Sequence, residues 1–203
     1  MRKQLTIKNI TRIAILATIG AILMFIDFPI FVAPSFYKLD ISDLPCLIGA
    51  FAMGPIPAVF IQVIKILIKL LLKPTSTAFV GEIASFIFST TYCVVASVIY
   101  SKNRTQKGAK IAIIIGSLVM VAISCIGNYL FIIPAYIKLY GMPLEAIISL
   151  GNAIFPVIKG LLSFTICCVL PFNLIKVAIV DVLTLLLYKR ISPLLKDIDL
   201  RLN

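Results

Sequence analysis

From Ile111 to Ile133 the chain carries no charged side chain, and the run meets Pro134. A segment this long and this apolar has few ways to exist. As a helix rising about 1.5 Å per residue it crosses a hydrocarbon layer of about 30 Å. Within lipid, only helices and closed barrels satisfy their own backbone groups. Comparable segments begin near Lys8, Pro57, Ala78 and Pro171. With 61% hydrophobic residues in 203 and a mean hydropathy of +1.13, little composition is left for an aqueous domain. The expected class is an all-α integral membrane protein, one transmembrane domain over residues 1–203. The basic then apolar N-terminus resembles a signal peptide. No small-residue cleavage site precedes a soluble region, so it is expected to stay as the first helix.

The formal net charge is +11, and its distribution decides what that means. Arg2, Lys3, Lys8 and Arg12 lie before or within the first turns of the first apolar segment. Lys102, Arg104, Lys107 and Lys110 occupy one short connection, and Lys189, Arg190, Lys196 and Arg201 follow the last segment. Lys38, Lys73, Lys138 and Lys159 fall in the opposite set of connections. This is the asymmetry of a multi-pass cell-membrane protein with cytoplasmic termini. It is not the interleaved basic and aromatic face of a nucleic-acid binder. Six transmembrane helices satisfy it: about Lys8–Ile26, a short second helix to Met53, a third to Leu72, Ala78–Tyr100, Ile111–Ile133 ending at Pro134, and Pro171–Tyr188. A long extracellular connection then joins helices five and six. A seventh span over Ile147–Leu170 would carry the basic tail outside, and Pro156, Lys159 and Gly160 count against it.

No catalytic set is present. The chain has no histidine, and its five cysteines form neither a disulfide framework nor a zinc spacing. No nucleophile–base pair, metal cluster or glycine-rich nucleotide loop appears.

The polar residues inside the apolar segments are therefore the informative ones. Pro29 and Pro34 break the chain after helix one, and Asp40-Ile41-Ser42-Asp43 opens helix two, with Ser42 or Asp40 as cap. Helix two is short for a span, so the preceding loop is expected to dip into the membrane plane and line a cavity. Asp40, Asp43, Glu82, Ser85, Asn128, Asn173 and Lys176 then fall at similar depth on different helices. Convergent polar groups in an apolar container describe a small-molecule site. Asp43 is expected as a first-turn charge, and Asp40 as the carboxylate that meets ligand. Lys69 and Lys73 can snorkel, whereas Lys65 lies deeper and needs a partner. Ala17 and Ala21 make a small-xxx-small pair on helix one, which serves internal packing or a partner helix equally well.

Together, FPIF (Phe28–Phe31), YKLDISDLP (Tyr37–Pro45), FAMGP (Phe51–Pro55), VGEIASF (Val80–Phe86), NYLFIIPAY (Asn128–Tyr136) and PFNLIK (Pro171–Lys176) resemble the substrate-binding S components of energy-coupling factor (ECF) vitamin importers. The riboflavin-specific members are the most similar. The resemblance implies a high-affinity binding subunit that is not an enzyme and takes riboflavin as ligand with no cofactor. It also implies a transmembrane coupling protein and two ATPases as partners, docking through small residues on helix one. That gives Ala17 and Ala21 a partner-binding role. Phe31, Tyr37 and Leu39 would join Asp40, Glu82, Ser85, Asn128, Asn173 and Lys176 in the substrate site. The ring system would lie against Phe31 and Tyr37, its polar edge against Asn128 and Lys176, and Glu82 would balance Lys176. The family pattern favours Asn at the position of Ser85 and directly after Lys65, where this chain has Ile66. The alternatives are an S component for a flavin precursor or pantothenate, and a stand-alone secondary transporter.

Overall fold

The computed structural model describes residues 6–75, 77–141 and 143–200. Arg2, Lys3 and Arg201 of the charge pattern, and Ser76 and Met142 of the loops, lie outside the described residues. Helix α1 (Ile7–Phe25) leads to a two-stranded antiparallel hairpin, β1 (Phe28–Pro29) with β2 (Lys38–Leu39), in which Phe28 pairs with Leu39. Helices α2 (Asp43–Met53), α3 (Pro55–Leu72), α4 (Val80–Lys102) and α5 (Gln106–Gly127) follow. A π-helical turn over Asn128–Ile132 continues into α6 (Ile133–Tyr140), and α7 (Leu144–Asn152) is a separate short helix. Helix α8 (Leu161–Phe164) passes through a second π-helical turn, Thr165–Val169, into α9 (Leu170–Leu200).

Five helices are long and apolar enough to cross a membrane: Ile7–Phe25, Pro55–Leu72, Val80–Lys102, Gln106–Leu139 and Leu161–Tyr188. Helix α2 is apolar but has 11 residues, about 16 Å of helix, roughly half a hydrocarbon core. Gly54 (φ 97°) makes the turn from α2 to α3, a conformation without penalty only for glycine, and Pro55 pre-sets the first turn of α3. Helix α2 is almost wholly buried among α1, α3, α4 and α9. Large apolar side chains such as Ile15, Ile19, Leu118, Leu174 and Leu186 point outward, as a lipid-facing surface requires.

Two expected helix boundaries are corrected. The helix expected to end at Pro134 continues to Tyr140, and the one expected to open at Pro171 starts at Leu161. A proline in an α-helix lacks its N–H and presses its ring on the carbonyl four residues back. Those carbonyls belong to Leu130 and Cys167, each inside a π-turn. There Ile133 N–H reaches Asn128 O and Leu170 N–H reaches Thr165 O. The wider turn makes room for the ring, so the helix survives its proline.

The buried apolar residues form two clusters. One, from Ile13 and Ala17 through Tyr92 and Ile113 to Tyr188, runs along the bundle. The other, around Leu39, Ile133, Ile147, Phe164 and Phe172, fills the end that carries the hairpin. The polar site lies where the two meet.

Candidate functional site

Four charged side chains from three parts of the chain meet at the start of α2, shielded from solvent. Lys65 Nζ on α3 donates to Asp43 Oδ1 at 2.9 Å and to Ser42 Oγ at 3.0 Å. Lys176 Nζ on α9 donates to Asp40 Oδ2 at 3.3 Å and stands 3.6 Å from Asp43 Oδ2. Asp40 Oδ1 accepts from the Ser42 backbone N–H at 2.9 Å and from the Ser42 hydroxyl, while Gln62 Nε2 donates to Asp43 Oδ1 at 3.1 Å. Lys65 is 0% exposed, and Asp40, Asp43 and Lys176 are all buried. Two carboxylates and two ammoniums balance. That balance lets them be buried, because an unmatched ion in the interior is held only at several kcal/mol, on the order of 3–5.

One face of this cluster opens into a cavity of about 140 Å³. Its walls include Tyr37, Phe36 and Lys38 from the hairpin, Ser85, Phe88 and Ser89 from α4, Met120 and Asn128 from α5 and its π-turn, Tyr136 from α6, and Phe172, Asn173 and Lys176 from α9. Tyr37 Oη donates to Asn128 Oδ1 at 2.7 Å, and Asn128 Nδ2 donates to Ser124 O at 2.8 Å. Asn173 Nδ2 donates to Val169 O at 2.8 Å, which leaves a second N–H and the side-chain carbonyl for a ligand. Ser89 Oγ is buried without a partner at hydrogen-bonding distance among the described residues. The loop places Tyr37 by packing its ring against Phe36, Phe172 and Phe164, with centroids 4.9, 5.2 and 6.4 Å away. Burial pushes its phenol up from the ordinary value, so it remains an O–H donor. Aromatic walls with a few amide, hydroxyl and ammonium groups suit a flat, uncharged heterocycle.

A second cavity of about 430 Å³ adjoins the first across Phe36 and Tyr136, whose ring centroids are 6.0 Å apart. Lys38, Lys69, Lys73, Asp27, Thr77 and Glu82 give it polar walls. Lys38 pairs with Asp27 at 3.1 Å. Glu82 binds Lys69, and its other oxygen accepts from Thr75 and Thr77 hydroxyls at 3.0 Å each.

The structure brings Tyr37, Ser85, Asn128, Asn173 and Lys176 together around one cavity and separates the other expected residues from it. Glu82 is tied to Lys69 and the α3–α4 loop, so the counter-charges of Lys176 are Asp40 and Asp43 instead. Phe31 is 88% exposed and lines neither cavity. Leu39 is 1% exposed within the hairpin-end apolar cluster, where β-pairing to Phe28 holds it, and does not line the inner cavity. Asp43 keeps its expected place in the first turn of α2, whereas Asp40, expected against ligand, lines neither cavity. Asp40 makes the turn into α2 through the Ser42 amide, and Asp43 is the hub between both lysines and Gln62. Ser42 has helical backbone and caps nothing with its side chain. Lys69, expected to snorkel, forms an ion pair. Phe36, Phe88, Ser89, Tyr136 and Phe172 were not foreseen in the site. Gln62 was also missed, although it lies one turn before Lys65 in an otherwise apolar helix, a detectable signal.

Ala17 and Ala21 are corrected as well. They are 0% and 1% exposed, on the face of α1 that packs against α2 and α3, so their small size is spent inside the bundle. Ala17→Leu should therefore lower stability by about 1–3 kcal/mol through overpacking, measured by thermal unfolding in detergent. An unchanged melting temperature would mean that this face is free.

A family model, ECF transporter substrate-specific component, matches residues 8–188. The riboflavin transporter RibU of Staphylococcus aureus (strain TCH60) is 30% identical over 191 residues, 94% of each chain. The riboflavin transporter FmnP of Bacillus subtilis (strain 168) is 27% identical, covering 92% of this chain and 93% of that one. A solved structure of the S component of a bacterial ECF transporter superposes with a TM-score of 0.71 at 30% identity, covering 93% of this chain and 98% of that one.

Proposed function

The chain belongs to the family of substrate-specific components of ECF transporters, and from that premise we propose that it binds riboflavin for import across the cell membrane. Riboflavin presents a flat apolar ring system, a neutral edge of alternating donors and acceptors, and a polyol tail. Phe36, Tyr37, Phe88 and Phe172 supply faces for the ring. Asn128, Asn173, Ser85, Ser89 and Lys176 supply groups for the edge.

One observation favours this ligand over an anionic one. The Lys176 ammonium is already matched by Asp40, and Lys65 by Asp43, so the cluster has no net positive charge to offer a carboxylate. A pantothenate site should need such a charge. Lys176 instead keeps one N–H for a neutral acceptor. The inner cavity is smaller than the roughly 300 Å³ at which drug-sized sites begin. A ligand as long as riboflavin therefore occupies both cavities, parting Phe36 from Tyr136, with its polyol towards Thr77 and Glu82.

Two long helices carry a proline-relieving π-turn, and α2 enters from the hairpin side. Six membrane-inserted helices with both ends cytoplasmic, and the cavities towards the outer face, account for the basic connections. Import needs energy from a coupling protein and two ATPases. The coupling protein docks on the exposed face of α1, where Ala14 and Thr18 form the accessible small pair.

Purified protein should carry, or take up stoichiometrically, a yellow ligand with flavin absorption. Asn128→Ala should weaken riboflavin binding by about 10- to 100-fold in a fluorescence-quenching titration, from the loss of one or two buried hydrogen bonds. Tighter binding of pantothenate than riboflavin would reverse the assignment. Gradient-driven uptake in vesicles lacking ATPases would remove the coupled-import reading.

A further inference from the structure

Nearly every buried hydroxyl of this protein has a partner inside the fold. Ser42 donates to Asp40, Ser97 to Ala50 O, Ser117 to Asp181, Ser124 to Val121 O, Thr165 to Leu161 O and Thr184 to Val180 O. Ser89, 1% exposed, is the exception among the buried serines and threonines of the described residues. The Asp43 carboxylate lies near its Oγ but beyond hydrogen-bonding distance. Two other shielded oxygens among the described residues lack partners, Gln62 Oε1 and Thr90 Oγ1, and these line neither cavity. Ser89 lines the inner one. A hydroxyl buried without a partner costs the fold free energy, and lipid offers no substitute for the lost water. The place of Ser89 on α4 says what can supply the partner. Gly81 lines both cavities, and Ser85 and Ser89 follow it at successive turns on the same face, both lining the inner cavity. Ser89 therefore stands about 12 Å of helix away from the junction at Gly81.

We propose that Ser89 is a ligand-binding residue whose hydroxyl the fold leaves unpaired and the ligand pairs, at the end of the inner cavity away from the outer one. This rests on the riboflavin reading, in which the polyol takes the outer cavity and the polar edge of the ring leads into the inner one. A hydroxyl both donates and accepts, so a ring carbonyl, a ring nitrogen or an N–H satisfies it equally. The unpaired hydroxyl weakens the ligand-free protein and strengthens the complex. Its removal should therefore move folding and binding in opposite senses, which a hydroxyl serving only the fold would not do.

The test compares Ser89→Ala with Ser97→Ala, a control on the same helix. Ser97 is equally buried, donates to Ala50 O at 2.8 Å and lines neither cavity. Wild type and both variants are freed of ligand in detergent, melted, and titrated with riboflavin by fluorescence quenching. Ser89→Ala should melt at or above the wild-type temperature and bind riboflavin about tenfold more weakly. Ser97→Ala should melt about 2–4 °C lower with its riboflavin affinity unchanged. A lower melting temperature for ligand-free Ser89→Ala would give the hydroxyl a partner within the fold, and an undiminished riboflavin affinity would give it none in the ligand. Either result overturns the proposal. Failure of wild type to bind riboflavin at all would instead overturn the reading on which the proposal stands.

Discussion

Replacing Lys65 with methionine should destabilise the protein by about 3–5 kcal/mol, the range found when one partner of a buried ion pair is removed. Lys65 is 0% exposed and lines neither cavity, so the loss would come from inside the fold. Asp43 would keep Gln62 at 3.1 Å and Lys176 at 3.6 Å, and Ser42 would lose its cationic neighbour. The cluster would then hold two carboxylates against one ammonium. The double variant Lys65→Met with Asp43→Leu should recover most of the loss, because an apolar pair of similar volume is often as stable as a buried ion pair. Thermal unfolding in detergent, with the same lipid and salt for every variant, reads both results. A double variant less stable than Lys65→Met alone would show that Asp43 is needed for more than matching that lysine.

The second large effect concerns ligand. Lys176→Ala should weaken riboflavin binding by about 100-fold, near 3 kcal/mol, since a charge-assisted hydrogen bond is lost in a desolvated cavity. The same change leaves Asp40 with only the Ser42 amide and hydroxyl. Some loss of stability is therefore expected too, smaller than for Lys65, because Asp43 keeps its 2.9 Å partner. Asp40→Asn separates the two effects. It preserves Lys176 but gives the cluster net positive charge, so an anionic competitor should bind measurably where wild type ignores it. Unaltered riboflavin affinity in a folded Lys176→Ala protein would move the ligand away from α9.

The membrane class, the long apolar helices and the shortness of α2 were legible because hydrocarbon imposes length and hydrophobicity residue by residue. Asn128, Asn173, Lys176 and Ser85 could be grouped because a polar side chain in such a helix needs a reason, whereas Tyr37, in the hairpin loop, came only from the family resemblance. What could not be read was pairing. Lys176 had three acidic candidates at similar depth, and choosing Glu82 ignored Lys69, one turn along the same helix as Lys65 and equally in need of a partner. Two lysines a turn apart on α3 serve two separate sites. Phe31 was misplaced for another reason. A hairpin of two-residue strands turns successive side chains in directions that a loop sequence does not reveal, so Phe36 and Tyr37 point inward and Phe31 does not. Ala17 and Ala21 show that a small-residue pair states how close a neighbour comes, and not whether that neighbour belongs to the same chain.

The π-turns also change the phase of the helices they interrupt. In an unbroken α-helix, residues eight apart are offset by about 80° around the axis, at roughly 100° per residue. A π-turn absorbs one residue, so such a pair behaves like positions seven apart, offset by only about 20°. Asn128 and Tyr136 are such a pair across the first turn, and both line the inner cavity. Phe164 and Phe172 are such a pair across the second, and both meet the ring of Tyr37. Each widened turn brings an aromatic, Tyr136 or Phe172, into line with the binding face. Counting in steps of 3.6 along Asn128–Tyr136 would have set that tyrosine aside.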